Sequence, residues 1–159
     1  MKTYVITFSK EFPSTHKRCG ESTGFVEKIL SGSKIHTIRN NYSLWEDRFK
    51  NIRKGEAYLS LRYWSGKPYR SKQVEFLRLT KEDGIGIQPI IIADYGDSFR
   101  VQPYNTGEKI TNKDLWYIGE TGRLSEIAKN DGLSVDDFKE WFKGKQMIGA
   151  IIHFTKFRY

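Results

Sequence analysis

The sequence predicts an α+β fold in which short strands form a small, partly open barrel flanked by short helices. Side chains in residues 57–64 alternate between two faces, which is typical of a strand. Residues 3–9 alternate with apolar side chains on both faces, which suits a barrel or an interior strand. Apolar residues at helical spacing in residues 24–31 and 135–142 predict short helices. Many short β segments around few helices favour this architecture.

The first third of the chain predicts a strand, a loop and two helices. After the strand, residues 10–23 form a polar loop with three certain positive charges, which could cover a polyanionic ligand or be simply solvated. Ser22 or Thr23 is expected to cap a helix that stops at Gly32. The segment Ser43-Leu44-Trp45-Glu46 has the pattern of a capping box and predicts the start of a second helix.

The middle of the chain predicts further strands. Residues 57–64 and 73–80 predict a hairpin joined by a turn at residues 65–68. Residues 87–93 are apolar and β-rich, and Pro89 predicts an edge strand or a bulge there because proline cannot donate to a strand ladder. A short strand is expected at residues 98–102.

The end of the chain predicts two helices and a strand. A short helix with apolar residues at 124, 127 and 128 can end at Gly132, and Ser134 is expected to cap the next helix. Residues 147–157 are rich in Ile and Phe and predict a long terminal strand.

Composition favours one globular domain. The chain has 159 residues, 38% hydrophobic and 14% aromatic, which suffices for a real core. No apolar run approaches the length of a membrane span and the first residues lead into a strand pattern, so we expect a soluble, cytoplasmic protein without a membrane partner. Cys19 is the only cysteine, so no internal disulfide can form. His16 and Cys19 are spaced like a metal pair, but too few ligands remain to complete a site, and we expect neither a metal nor a cofactor.

The positive charge is concentrated in the first half of the chain. Residues 1–80 carry 16 Lys and Arg against 7 Asp and Glu, whereas residues 81–159 carry 11 against 12. Such asymmetry suggests a face for a polyanion, most commonly nucleic acid, although a basic chain can also serve solubility. Aromatic and basic residues alternate around the hairpin tip, which suits single-stranded RNA as well as it suits solubility and packing. These residues are Arg62, Trp64, Lys67, Tyr69, Arg70 and Lys72.

Residues able to do chemistry are concentrated in the segment Gly32-Ser33-Lys34-Ile35-His36-Thr37-Ile38-Arg39. We expect a turn that enters a strand, on which Thr37 and Arg39 share one face. In a tight turn Lys34 could fold back on Thr37 and pair a base with a nucleophile. The spacing alone favours a simpler interpretation. In that interpretation Thr37 pairs across a strand and Arg39 meets a carboxylate, while Lys34 and His36 are solvated.

The pattern Gly-x-Lys-x-x-Thr-x-Arg after a short helix resembles the signature of ASCH domains, which belong to the PUA-like superfamily. Gly55-Glu56-Ala57, residues 131–138 and Ile151-Ile152-His153-Phe154 resemble later motifs of that family. The resemblance covers residues 24–64 and 121–157 and leaves out the loop 10–23. It implies one domain, residues 1–159, with a small PUA-like β-barrel flanked by short helices and a possible insert at residues 81–119.

Small bacterial members of this family are N4-acetylcytidine amidohydrolases, which are thought to use the signature Lys and Thr with a downstream Glu. The resemblance therefore implies catalytic roles for Lys34 as base, Thr37 as nucleophile and Asp131 as the acid. Asp131 is shorter than the family's Glu, so Glu126 is the alternative acid.

Two classes of function remain open at this stage, and both have a modified nucleoside or RNA as partner. The first is amide hydrolysis on an N4-acylated cytidine, and the second is non-catalytic RNA binding. A ribonuclease would use the same cleft, but the sequence offers no obvious pair of histidines for it. The candidate binding residues are Arg39, His36, Arg62, Trp64, Tyr69 and Arg70.

Overall fold

The computed structural model describes residues 1–119 and 122–159 and arranges them in two β-sheets with surrounding helices. The strands are β1 (Lys2–Phe8), β2 (His36–Asn40), β3 (Ala57–Trp64), β4 (Gln73–Leu79), β5 (Gly86–Asp94), β6 (Phe99–Pro103) and β7 (Gln146–His153). The helices are α1 (Phe25–Ser31), α2 (Tyr42–Arg53), α3 (Asp114–Tyr117), α4 (Leu124–Asn130) and α5 (Val135–Trp141). The predicted α+β class is confirmed. Thr121, where the second matched segment begins, lies outside the described residues.

The strands are divided between a mixed sheet and an antiparallel sheet. The first has the order β1-β3-β4, in which β1 is parallel to β3 and β3 is antiparallel to β4. The second has the order β2-β7-β5-β6 and is antiparallel throughout. Among the strands of the described ranges, no pairing closes the two sheets into a ring. The predicted hairpin of β3 and β4 is confirmed.

One hydrophobic core joins the two sheets. Buried side chains from both sheets belong to it, including Ile6, Phe8, Leu59, Ile38 and Ile152. A smaller cluster around Ile91, Ala93 and Ile118 lies apart from this core and includes alternate residues of β5. Because both faces of β5 are buried, residues 89–93 are apolar in succession instead of alternating.

The prediction that Pro89 marks an edge strand or a bulge is wrong, because β5 lies between β7 and β6 and keeps a constant register with both. Pro89 is opposite Ala150 of β7, and its carbonyl accepts a hydrogen bond from the Tyr104 N–H at 2.9 Å, just past the end of β6. The N–H and C=O of one strand residue point to the same side. The N–H that Pro89 lacks would therefore point towards β6 at a position where β6 has already ended, at Pro103.

The predicted helix caps are corrected at α1 and α2. Gly24, which has no side chain to cap with, occupies the N-cap position of α1. Thr23 lies one residue before it, where its hydroxyl donates to the Ser9 carbonyl at 2.7 Å and accepts from the Phe25 N–H at 3.4 Å. The predicted capping box at 43–46 is also wrong, since Asn41 is the N-cap of α2 and its side chain accepts from the Leu44 N–H at 3.1 Å. By contrast, Ser134 caps α5 as predicted, by accepting from the Asp137 N–H.

The last strand is shorter than the sequence suggests. β7 ends at His153, where both neighbours also stop pairing, because His36 begins β2 and Gly86 begins β5 opposite it. Residues 81–119 contribute β5 and β6 to the second sheet. In the part of the chain that the structure describes, no helix is both long and apolar enough to cross a membrane.

Candidate functional site

The turn between α1 and β2 directs Lys34 into the interior. α1 ends at Gly32, whose φ of 82° is a left-handed conformation that glycine adopts without a steric penalty. The backbone N–H groups of Ser33 and Lys34 then both donate to the Lys28 carbonyl, at 2.9 and 3.0 Å. β2 begins two residues later at His36, so the predicted turn into a strand is confirmed.

Lys34 forms a buried ion pair with Asp131, at the end of α4. Its Nζ lies 2.7 Å from Asp131 Oδ1 and also donates to the backbone carbonyl of Asp131, a group that the end of a helix leaves without a partner. The ammonium lies 4.4 Å from the ring centroid of Phe25. The expectation that Lys34 and His36 are solvated is wrong, because their exposed fractions are 2% and 0%.

Burial and charge act in opposite directions on this pair. Burial lowers the pKa of Lys34, since it penalises the charged amine, while the Asp131 carboxylate opposes that shift. Burial alone would raise the pKa of Asp131, but the attraction of Lys34 and His36 outweighs it and lowers that pKa. The site therefore contains a carboxylate beside an amine that gives up its proton more readily than an exposed lysine.

Gly132 allows this close approach. It has a φ of 80°, and a Cβ placed on it would lie 3.1 Å from Lys34 Cδ. Its carbonyl accepts a hydrogen bond from Lys28 Nζ at 2.8 Å, and the same amine donates to the Thr23 carbonyl at 3.0 Å. The α1 and α4 segments are thus fastened to each other beside the ion pair.

A polar chain on the other side of Asp131 was not predicted from the sequence. His36 Nδ1 lies 3.6 Å from Asp131 Oδ1, which is longer than a hydrogen bond, and His36 Nε2 lies 2.7 Å from the Tyr159 hydroxyl. That hydroxyl also accepts from Asn130 Nδ2 at 3.0 Å. With the imidazole proton on Nδ1, Tyr159 donates to His36 and the imidazole N–H faces the carboxylate. No local sequence pattern could have joined these distant residues.

A second histidine, His153, lies next to His36. The ring centroids of His36 and His153 are 5.7 Å apart, and both side chains are fully buried. Burial is the main reason why the pKa of His153 falls to about 2, and the nearby His36 and Arg158 lower it further. The sequence did not predict this pair, and His153 is neutral near pH 7.

Thr37 and Arg39 occupy β2 beside the ion pair. Thr37 is buried and pairs with Ile152 across β7, which confirms its predicted cross-strand pairing. Within residues 1–119 and 122–159, no hydrogen bond joins the Thr37 hydroxyl to Lys34. Arg39 donates from Nη2 to the Thr7 carbonyl at 2.9 Å and forms no salt bridge with a described carboxylate, so the expectation that it meets one is wrong.

A cavity of about 700 Å³ opens beside these residues, between residues 7–13 and the tip of the β3–β4 hairpin at residues 64–69. Phe8 connects the two regions: it lines the cavity, and its ring centroid is 5.9 Å from Lys34 Nζ and 5.6 Å from Arg39 Cζ. Lys34, Thr37 and Asp131 are not among the residues that line the cavity. The ion pair is therefore next to the cavity but enclosed.

The other predicted binding residues divide between this cavity and the surface. Trp64 and Tyr69 line the cavity, with ring centroids 5.2 Å apart. Arg62 Nε donates to the Ser60 hydroxyl at 2.8 Å, and Arg70 is exposed on the hairpin. Glu126, the alternative acid, is exposed on α4, so it is Asp131 that meets Lys34.

The loop of residues 10–23 is attached to α5. His16 is buried with Nε2 3.1 Å from the Asp137 carbonyl, and Arg18 Nη1 lies 2.6 Å from Asp137 Oδ2. Cys19 is exposed, whereas both ring nitrogens of His16 have backbone partners, Nε2 at the Asp137 carbonyl and Nδ1 at the Arg18 N–H, so the two residues do not act as a metal pair. Within the described ranges, no group of three His, Cys, Asp or Glu side chains could hold a metal ion.

Comparison with known proteins adds no assignment to this geometry. No protein-family model matches the chain, and no curated protein or solved structure shows significant similarity to it.

Proposed function

We propose that this chain is an ASCH domain of the PUA-like superfamily, with its two sheets as the family's barrel, and that it hydrolyses N4-acylated cytidine. The contact between Lys34 and Asp131 carries the proposal. Motif position alone selected both residues, which are 97 positions apart, and their side chains meet at 2.7 Å in the interior. A buried amine beside a carboxylate, next to a cavity, is a combination typical of catalytic sites.

The three residues have distinct roles in the proposed reaction. A threonine hydroxyl is a poor nucleophile unless a neighbouring base takes its proton. Lys34 is the proposed base, and burial favours its neutral form by lowering its pKa. Asp131 holds the amine in place, and His36 Nδ1 faces the same carboxylate oxygen from the other side at 3.6 Å.

The reaction proceeds through an ester of Thr37. The hydroxyl oxygen attacks the carbonyl carbon of the acyl group while Lys34 Nζ accepts the hydroxyl proton. The C–N4 bond then breaks, and the proton on Lys34 passes to N4, which leaves as the free amino group of cytidine. Water then attacks the ester carbonyl carbon and gives up one proton to Lys34 Nζ. The bond between the acyl carbon and Thr37 Oγ breaks, that proton passes from Lys34 to Oγ, and the carboxylic acid leaves with both the Thr37 hydroxyl and the neutral amine restored. The sum is one amide and one water converted to one amine and one acid.

The test is to incubate the purified protein with N4-acetylcytidine and to follow cytidine and acetate by chromatography. Thr37→Val removes the hydroxyl with little change of shape, whereas Thr37→Ser keeps it. We expect turnover with the unmodified protein and Thr37→Ser, and none with Thr37→Val. Full activity of Thr37→Val, with its fold intact by circular dichroism, would exclude Thr37 as the nucleophile.

Lys34 is tested with variants that retain the fold. Lys34→Ala leaves Asp131 buried without a partner, so a loss of activity could reflect unfolding. The double variant Lys34→Met/Asp131→Leu replaces the pair by apolar groups and avoids that problem. We expect it to fold and to release no cytidine. Turnover by the folded double variant would overturn the proposed base.

A second function, non-catalytic RNA binding, is favoured by one specific observation. The cavity is lined by aromatic rings and lysines and does not include Lys34, which is 2% exposed. RNA binding through phosphates weakens as salt rises. Salt-dependent binding of a short single-stranded RNA, together with no turnover of N4-acetylcytidine, would favour this function over hydrolysis. Absence of RNA binding would exclude it.

A further inference from the structure

We infer that the cavity between residues 7–13 and 64–69 binds a phosphorylated nucleoside, with the base on the aromatic wall and the phosphate at the cationic rim. This inference rests on the proposed nucleoside recognition and specifies which form of nucleoside is bound. The volume of about 700 Å³ lies within the range of small-ligand sites, about 300–1,000 Å³.

The aromatic wall suits a planar base. Trp64 and Tyr69 lie together on one side of the cavity, with their ring planes inclined by 48°, and Phe12 lines it from the opposite segment. Aromatic side chains can stack on any of the bases, because every base has a flat π face. Tyr69 is 89% exposed and has a φ of 63°, an uncommon conformation for a bulky side chain. The hairpin thus presents a large ring that the core does not bury.

The rim carries cations that the protein leaves without a carboxylate. Lys10 and Lys67 line the cavity. Arg39 does not line it but lies behind its wall, where Nη2 donates to the carbonyl of Thr7, a lining residue. In residues 1–119 and 122–159, none of these three cations forms a salt bridge. Lys10 Nζ lies 4.1 Å from the ring centroid of Tyr63.

Arg39 is a cation with a buried donor that has no hydrogen-bond partner among the described residues. Its Nε is enclosed and makes no hydrogen bond to any described residue, although a buried donor is normally satisfied. Burial lowers the pKa of Arg39, and an arginine remains a cation nevertheless. Glu11 also lines the cavity, so its lining carries two lysines against one acid, and Arg39 adds a positive charge behind the wall at Thr7. This balance favours a phosphate over a neutral ribose.

The experiment compares cytidine with cytidine 5′-monophosphate by isothermal titration calorimetry. Neither compound carries an acyl group, so the result does not depend on hydrolysis. We expect the monophosphate to bind at least about tenfold more tightly at low salt, with the difference decreasing as salt rises. Equal affinity for the two compounds, or no binding of either, would overturn the inference.

Two surface variants locate the phosphate, and a third locates the base. Lys67→Gln and Lys10→Gln are expected to weaken binding of the monophosphate and to leave cytidine unaffected, whereas Lys50→Gln on α2 is the matched control and should change neither. Tyr69→Asn removes the ring and keeps a residue that tolerates the left-handed backbone. We expect it to weaken the binding of both compounds by about tenfold or more. If none of the cavity variants changes binding, the ligand binds elsewhere and the inference is wrong.

A short single-stranded RNA distinguishes the source of the phosphate. Tighter binding of the RNA than of the monophosphate would assign the site to a nucleotide within a chain, and the reverse would assign it to a free nucleotide. Turnover of N4-acetylcytidine without preference for phosphate would retain the proposed function and overturn this inference. Phosphate-dependent binding without turnover would do the opposite.

Discussion

Lys34 Nζ lies 2.7 Å from Asp131 Oδ1, and each group is the main neutralising partner of the other in the interior. Removing one partner leaves a buried charge uncompensated, which costs more than the pair itself contributes. We expect Lys34→Met to lower the free energy of unfolding by about 3–5 kcal/mol, measured by urea denaturation. The double variant Lys34→Met/Asp131→Leu should recover most of that loss.

The exposed pair Lys50–Asp47 provides the control for this prediction. Its atoms lie at a similar distance of 2.8 Å, but both side chains are largely in solvent. We expect Lys50→Met to cause no measurable change in stability, because water screens the pair. An equal effect of Lys34→Met and Lys50→Met would contradict the argument from burial.

The rate of the proposed hydrolysis should rise with pH. The base must be neutral, and burial lowers the pKa of Lys34, so kcat is expected to level off below the ordinary lysine pKa of 10.5. Asp131 raises that pKa, and Asp131→Asn should therefore move the rising limb to lower pH. The measurement is kcat against pH for both proteins. A limb that does not move would show that Lys34 is not the titrating base.

Strand β3 could be predicted from the sequence, whereas the burial of Lys34 could not. β3 has the bounds that alternation predicts, because successive side chains of a strand point to opposite faces and the pattern can be read from neighbouring residues. The burial of Lys34 could not be derived from its neighbours, since it depends on Asp131 and Gly132, which come from a different part of the chain. The motif resemblance selected Asp131, but only the fold brings Tyr159 to His36.

The Tyr159 hydroxyl should contribute to stability through its two partly buried hydrogen bonds. Tyr159→Phe leaves His36 Nε2 and Asn130 Nδ2 without this partner, and an unsatisfied buried group costs about 1–3 kcal/mol. We expect a loss of that size in urea denaturation. Tyr117→Phe is the control, because Tyr117 is 86% exposed and should be insensitive. Equal stability of both variants would argue against the network.

Acid should destabilise the protein below about pH 6.5, the ordinary histidine value. His153 has a pKa of about 2 when folded, so between these values the unfolded chain binds more protons and stability falls as pH decreases. At pH 5 the loss from His153 is about 2 kcal/mol relative to pH 7. The groups around His153 are His36, Arg158, Tyr159 and Gln88.

The variant His153→Gln tests this contribution. Its amide can still donate to Gln88 Oε1, which is 3.0 Å from His153 Nε2, but it does not titrate. We expect the free energy of unfolding of His153→Gln to fall less between pH 7 and pH 5 than that of the unmodified protein. A residual slope should remain, because burial also lowers the pKa of His36. Identical slopes would contradict the prediction.

Gly132 should be sensitive to substitution for two separable reasons. Gly132→Ala forces alanine into a φ of 80° and places a Cβ 3.1 Å from Lys34 Cδ, whereas Gly20→Ala meets a similar φ of 83° with no atom within 4 Å among those described. The left-handed backbone alone costs about 1–2 kcal/mol in both variants. We expect Gly132→Ala to lose more stability than Gly20→Ala in urea denaturation and also to lower kcat, because Lys34 must shift away from Asp131. Equal losses in both variants, with kcat unchanged, would show that Lys34 accommodates the added methyl group without moving from its partner.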